Sequence, residues 1–88
     1  MNRSLLRSIS SMPKLPAVKP REVARFLQSR GFLLDHVSGS YFIYYNPSSK
    51  RRAVIPQHNR DLPKGTLLSI LREAGFTRDE FLQHLQDS

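Results

Sequence analysis

Cysteine is absent from this 88-residue chain, so it can form no disulfide framework and no thiolate metal site, and nothing ties it to an oxidising compartment. Long apolar runs are missing as well, since none approaches the roughly 18 residues needed to span a bilayer. Acidic residues are scarce: Asp and Glu number 7 against 14 Lys and Arg, and they do not form the paired arrangement a metal nuclease uses. The histidines, His36, His58 and His84, are too scattered for metal-ligand spacing. There is no glycine-rich loop between a strand and a helix to cradle a nucleotide, and no Ser/His/Asp grouping suggests itself. These absences leave one small cytosolic domain, off the membrane, with no metal and no cofactor.

What is present is positive charge. A formal net charge of +7 and a pI near 10.6 favour a polyanionic partner, because a basic surface gathers phosphates and steers association. RNA, DNA, anionic lipid and an acidic protein all fit that description.

The opening MNRSLLRSISS offers no core face. It reads as a disordered tail or a non-native extension over residues 1–11, with a presequence-like targeting segment as the lesser alternative. Met12 opens MPKLPAVKP, so the natural start is either Met1 or Met12, and the folded domain is expected over 12–88.

From Met12 the punctuation is regular. Pro13 and Pro16 keep the chain extended, and Pro20 suits the first turn of a helix, where its missing N–H is not needed. Val23, Phe26 and Leu27 recur at i, i+3 and i+4 before Gly31, which supplies a left-handed stop. Phe32 to Val37 reads as a strand, Ser38-Gly39-Ser40 as a tight turn, and Tyr41 to Tyr45 as an aromatic second strand. Asn46-Pro47-Ser48-Ser49 turns the chain into a short third strand, Arg52 to Ile55, stopped by Pro56. After the polar loop QHNRDLPKG, Leu67, Leu68, Ile70 and Leu71 lie on a helical stripe ended by Gly75. Thr77 and Glu80 form a capping box for a last short helix carrying Phe81, Leu82 and Leu85. The expected fold class is α+β: helix, three-stranded antiparallel meander, then two helices.

Lys50-Arg51-Arg52 stands at the tip of the second hairpin. A charge run there is commonly only a solvated turn, but Tyr44 and Tyr45 lie beside it in the sequence. Cations for phosphates next to aromatic faces for bases are the ingredients of RNA binding. Tyr44 is taken as the aromatic partner, although one of two consecutive strand aromatics must face the core.

Three stretches, KPREVARFLQSRGF, then GS before an aromatic strand, then VIPQHNRDLPKGTLLSILREAGFTRDEF, give the chain a resemblance to the HicA (YcfA-like) family of bacterial toxins from about Met12 to Leu85. The resemblance implies a double-stranded-RNA-binding-domain-like fold and a metal-independent endoribonuclease acting on mRNA, held silent by a HicB-like antitoxin that covers the active face. The family's turn reads Gly-Ser-His, and that histidine is its catalytic residue. Here Gly39 and Ser40 match, but Tyr41 takes the third place. Cleaving RNA without metal requires a group that takes or gives a proton near neutral pH. Histidine, with an ordinary pKa of about 6.5, exists in both forms, whereas tyrosine, near 10, is only about one part in a thousand ionised at pH 7. Tyr41 is therefore expected to be a poor substitute.

His58 corresponds to a histidine that the family shows after its loop proline. It is expected to support the loop by hydrogen bonding, with direct catalysis the lesser reading, and His36 and His84 are expected at the surface. A single base change converts a histidine codon to a tyrosine codon, so an inactivated toxin is favoured over a tyrosine-based enzyme. The alternative is a module that binds RNA, or sequesters an antitoxin, without cutting.

Overall fold

Pro20 opens the first helix, α1 (Pro20–Ser29), and the carboxylate of Glu22 reaches back to accept the Lys19 N–H at 2.8 Å. That satisfies a backbone donor which the helix leaves unpaired. The exit is a Schellman closure: Phe32 N–H donates to the Leu27 carbonyl at 3.0 Å and Gly31 N–H to Gln28 at 3.2 Å, with Gly31 at φ +95°. Glycine takes this conformation without the steric cost of a β-carbon. Phe32 is consequently buried beneath the helix end rather than starting the strand, as the sequence had suggested.

The computed structural model describes residues 15–87. The expected extension over residues 1–11 lies outside the described residues, as does the alternative start at Met12. After α1 come β1 (Leu33–Ser38), β2 (Tyr41–Asn46), β3 (Arg51–Pro56), α2 (Lys64–Ala74) and α3 (Arg78–Asp87). The strands pair in chain order, β1-β2-β3, and both pairings are antiparallel. The architecture is the expected α+β one, a helix, a meander and two further helices, consistent with a double-stranded-RNA-binding-domain-like fold.

One sheet face carries the core and the other is open. Alternation sends Tyr44 and Asn46 of β2 and Ala53 and Ile55 of β3 inward, against Val23, Phe26 and Leu27 of α1 and Leu67, Ile70 and Leu71 of α2. Phe26 is the aromatic hub: Phe76 and Phe81 meet it edge-on, with centroids 5.0 Å and 5.2 Å away. Burying a side chain of this size contributes about 1.5–3 kcal/mol. His84, expected at the surface, is half-buried and packs edge-on against Phe26 at 5.1 Å, because its place on α3 brings it over the hub. Thr77 and Glu80 form the expected capping box, with Thr77 N–H donating to Glu80 Oε1 at 2.7 Å and Glu80 N–H to Thr77 Oγ1 at 3.1 Å. The core reaches beyond the strands and α2, since Leu15 and Val18 on one side and Phe81 on the other are buried.

Candidate functional site

The β1–β2 hairpin has a two-residue loop, Gly39-Ser40, closed by the Ser38–Tyr41 pair. Gly39 sits at φ +56° while Ser40 does not have positive φ. That is the sign pattern of a type II′ turn, whose twist suits a tight hairpin and which asks for glycine at its first central position. Gln57 N–H donates to the Ser40 carbonyl at 2.7 Å, tying the turn to the chain just beyond β3. Tyr41 follows at the head of β2, opposite Pro56 of β3, 49% exposed and with no hydrogen-bond partner for its hydroxyl among the described residues. It borders a hollow of about 570 Å³ with Val54, Pro56, Gly65, Ser69 and Glu73.

Farther along the same open face, Ile43 and Tyr45 follow Tyr41 at alternate positions, with Arg52 opposite Tyr45. The Arg52 guanidinium lies 4.5 Å from the Tyr45 ring centroid and its Nη1 reaches Asp35 at 3.3 Å. Asp35 occupies an irregularity between Leu34 and His36 in the β1–β2 register. Its carboxylate also contacts His36 Nδ1 at 2.7 Å. These contacts, led by the His36 hydrogen bond and followed by that of Arg52, hold the Asp35 carboxyl below its ordinary value of 3.8.

The three cations of the tip diverge. Lys50 takes φ +62° and sits exposed at the apex, its N–H closing the loop to the Asn46 carbonyl at 2.7 Å. Arg51 folds back onto the end of α2, donating to the Glu73 carbonyl at 3.3 Å. Arg52 joins the open sheet face. The aromatic beside them is Tyr45 and not Tyr44. Tyr44 points inward and is 4% exposed, because adjacent strand residues face opposite ways. This corrects the assignment of Tyr44 as a surface for bases, and burial pushes its hydroxyl above the ordinary tyrosine value.

His58 is exposed, and its Nδ1 accepts the Arg60 N–H at 3.1 Å, a local loop contact. It borders a different concavity from Tyr41, a cleft of about 540 Å³ between α1, the inner side of β2 and β3, and residues 57–59. Arg21, Arg25 and Gln28 of α1 line that cleft too. The sequence reading passed over them, although their i, i+4, i+7 spacing was a usable signal; the contiguous run at the hairpin tip drew attention instead. Among the described residues no cluster of three or more potential metal-ligating side chains occurs, and no helix is long and apolar enough to cross a membrane.

The family model described as HicA toxin of bacterial toxin-antitoxin matches residues 20–76, from the start of α1 through the end of α2. The chain belongs to the HicA toxin family. HicA toxins are one half of toxin–antitoxin systems, so an antitoxin partner is implied. No curated protein matches the chain. Within the HicA match lie the Gly39-Ser40 turn, Tyr41, the cationic tip and the residues of both concavities.

Proposed function

We propose that this HicA-family chain is an mRNA-binding toxin domain whose metal-independent endoribonuclease activity is crippled at Tyr41, and that its partner is a HicB-like antitoxin which covers the Tyr41 face. The domain is taken to run over 12–88 and to act in the cytosol, where mRNA is met. The observation that carries the reading is the placement of Tyr41: half-exposed at the head of β2, directly after the Gly39-Ser40 turn, with its hydroxyl unpartnered among the described residues. A phenol with no hydrogen-bond partner placed to take its proton is a poor stand-in for a general base. Lys50 and Arg52 are taken to contact phosphates, with Tyr45 beside Arg52 as the aromatic surface.

The same exposure favours a second reading, a non-cutting module that grips RNA or sequesters an antitoxin, because the face stays free for a partner whichever side chain stands at position 41.

Cleavage of an unstructured RNA in the presence of a chelator separates the two. Tyr41→His is expected to raise the rate by at least about 100-fold, the low end of what a positioned acid or base contributes. Growth arrest on expression should return with it and be relieved by co-expressed antitoxin. Should the native chain already cleave at the rate of Tyr41→His, and Tyr41→Phe abolish that activity, tyrosine is the catalyst and the inactivation reading is wrong.

A further inference from the structure

α1 has a polar flank beside its buried stripe. Arg21, Ala24, Arg25 and Gln28 fall at i, i+3, i+4 and i+7, so they share one side of the helix, next to Val23, Phe26 and Leu27 in the core. That flank forms one wall of the 540 Å³ cleft; Phe42, Tyr44 and Ile55 are among its apolar lining, and Gln57, His58 and Asn59 lie across from it. No carboxylate lines the cleft. The acidic groups nearest in sequence to its walls are engaged elsewhere, Glu22 with the Lys19 N–H and Asp61 with Lys19 Nζ. Among the described residues neither the Arg21 nor the Arg25 side chain has an ion pair or hydrogen bond. The Tyr44 ring is buried, yet its hydroxyl is not a sealed, unsatisfied group, and Tyr44 is part of the cleft lining.

Unpaired guanidinium groups on a concave surface attract a phosphate. Phe42 and Ala24, the partly buried apolar residues of the lining, and the amides of Gln28, Gln57 and Asn59 match the other half of a nucleotide, a base with one flat apolar surface and one hydrogen-bonding edge. An acidic peptide would engage the arginines but offers no flat apolar surface to the lining. Pro56 borders both this cleft and the hollow beside Tyr41, so a strand seated in the cleft can continue over the end of β3 to position 41.

We propose that the cleft between α1 and the 57–59 loop binds a nucleotide of single-stranded RNA flanking the one presented to Tyr41, with Arg21 and Arg25 on its phosphate. This rests on the reading of the chain as an RNA-binding toxin. It adds a subsite away from the hairpin tip and the open sheet face.

The test is anisotropy with a labelled single-stranded hexaribonucleotide, comparing the native chain, the Arg21→Ala/Arg25→Ala pair, and a charge-matched Lys64→Ala/Arg72→Ala pair on exposed positions of α2. Alanine favours helix at all four positions, and circular dichroism checks that the fold is kept. The α1 pair is expected to weaken binding by roughly tenfold or more and to make the log–log salt slope shallower by about 0.7, one single-strand phosphate contact, with a clearly smaller effect from the α2 pair. Amide shifts on adding the RNA should include Gln28, Gln57 and Asn59. Native affinity in the α1 pair overturns the subsite while leaving RNA binding intact, and equal weakening by both pairs reassigns the effect to overall charge and also overturns it. Hexaglutamate shifting the same amides with the affinity of the RNA overturns it in favour of an acidic protein segment. Failure of the native chain to bind the RNA at all overturns the subsite and the RNA reading together.

Discussion

Arg51 and Gly75 are packed face to face: a β-carbon added at Gly75 would stand 2.8 Å from Arg51 Nε, inside any normal contact. The arginine reaches this place from the hairpin tip and donates to the Glu73 carbonyl in the last turn of α2, where the helix leaves acceptors unpaired and a cation is favoured.

Gly75→Ala should therefore destabilise the fold by about 1–2 kcal/mol, chiefly because φ +88° disfavours any side chain. Removing the obstructing side chain with Arg51→Ala should reduce that cost, giving a non-additive double-mutant cycle. Urea midpoints of the four proteins are the measurement. Strict additivity would show that the two residues do not oppose each other.

Asn46 should be among the most sensitive polar positions. Although it is only 7% exposed, its Nδ2 donates to the Arg30 carbonyl at 3.1 Å, while its Oδ1 accepts the N–H groups of Ser48 at 2.8 Å and Ser49 at 3.3 Å. One side chain thus holds both the end of α1 and the second hairpin loop. Asn46→Ala is expected to cost about 2–3 kcal/mol, since it removes three part-buried hydrogen bonds worth about 0.5–1.5 kcal/mol each. A loss under about 0.5 kcal/mol, the range of ordinary surface changes, would count against this role.

Asp35 gives the open face a pH dependence. Its folded-state carboxyl titrates below the ordinary 3.8, so its contacts with His36 and Arg52 favour the fold above that value and are lost as pH falls through the depressed one. Carboxyl NMR should place the Asp35 midpoint below 3.8. The midpoint should rise in both His36→Ala and Arg52→Ala. No movement in either variant would mean that the contacts do not hold the charge.

Substitution at position 41 should separate chemistry from folding. Half-exposed and without a hydrogen-bond partner among the described residues, Tyr41 can become histidine with a stability change within about 0.5 kcal/mol. The native chain and Tyr41→His should both form a stable complex with a HicB-like antitoxin on size exclusion, and hydrogen exchange should show protection around Tyr41. Protection confined to the opposite face would show that the partner sits elsewhere.

Much of this molecule could be read directly from its residues because the signals are local. Gly31 and Gly75 mark helix ends through their own backbone preference, Thr77 and Glu80 announce a cap by their spacing, and Gly39-Ser40 marks a hairpin turn. What could not be read that way depends on contacts distant in sequence. Nothing near Arg51 says that its guanidinium will rest on Gly75, and nothing near Asn46 says that it will bind Arg30. Alternation leaves two choices for Tyr44 and Tyr45, and only the core, built by helices on either side in sequence, decides between them. The cleft was hidden for the same reason: its walls come from α1 and from a loop some thirty residues later.

The meander also determines when the molecule becomes competent. Each strand pairs only with its chain neighbour, and the connections are as short as the Gly39-Ser40 loop. Little loop-closure entropy stands between the nascent chain and its sheet. Mixed folds built from such near-neighbour contacts form on the order of milliseconds, whereas translation adds roughly 5–20 residues per second. Folding is thus far faster than synthesis, and the domain is finished almost as soon as its last helix leaves the ribosome. A partner that is to hold such a protein in check has no waiting interval in which to be made; it must already be in the cell when the domain emerges.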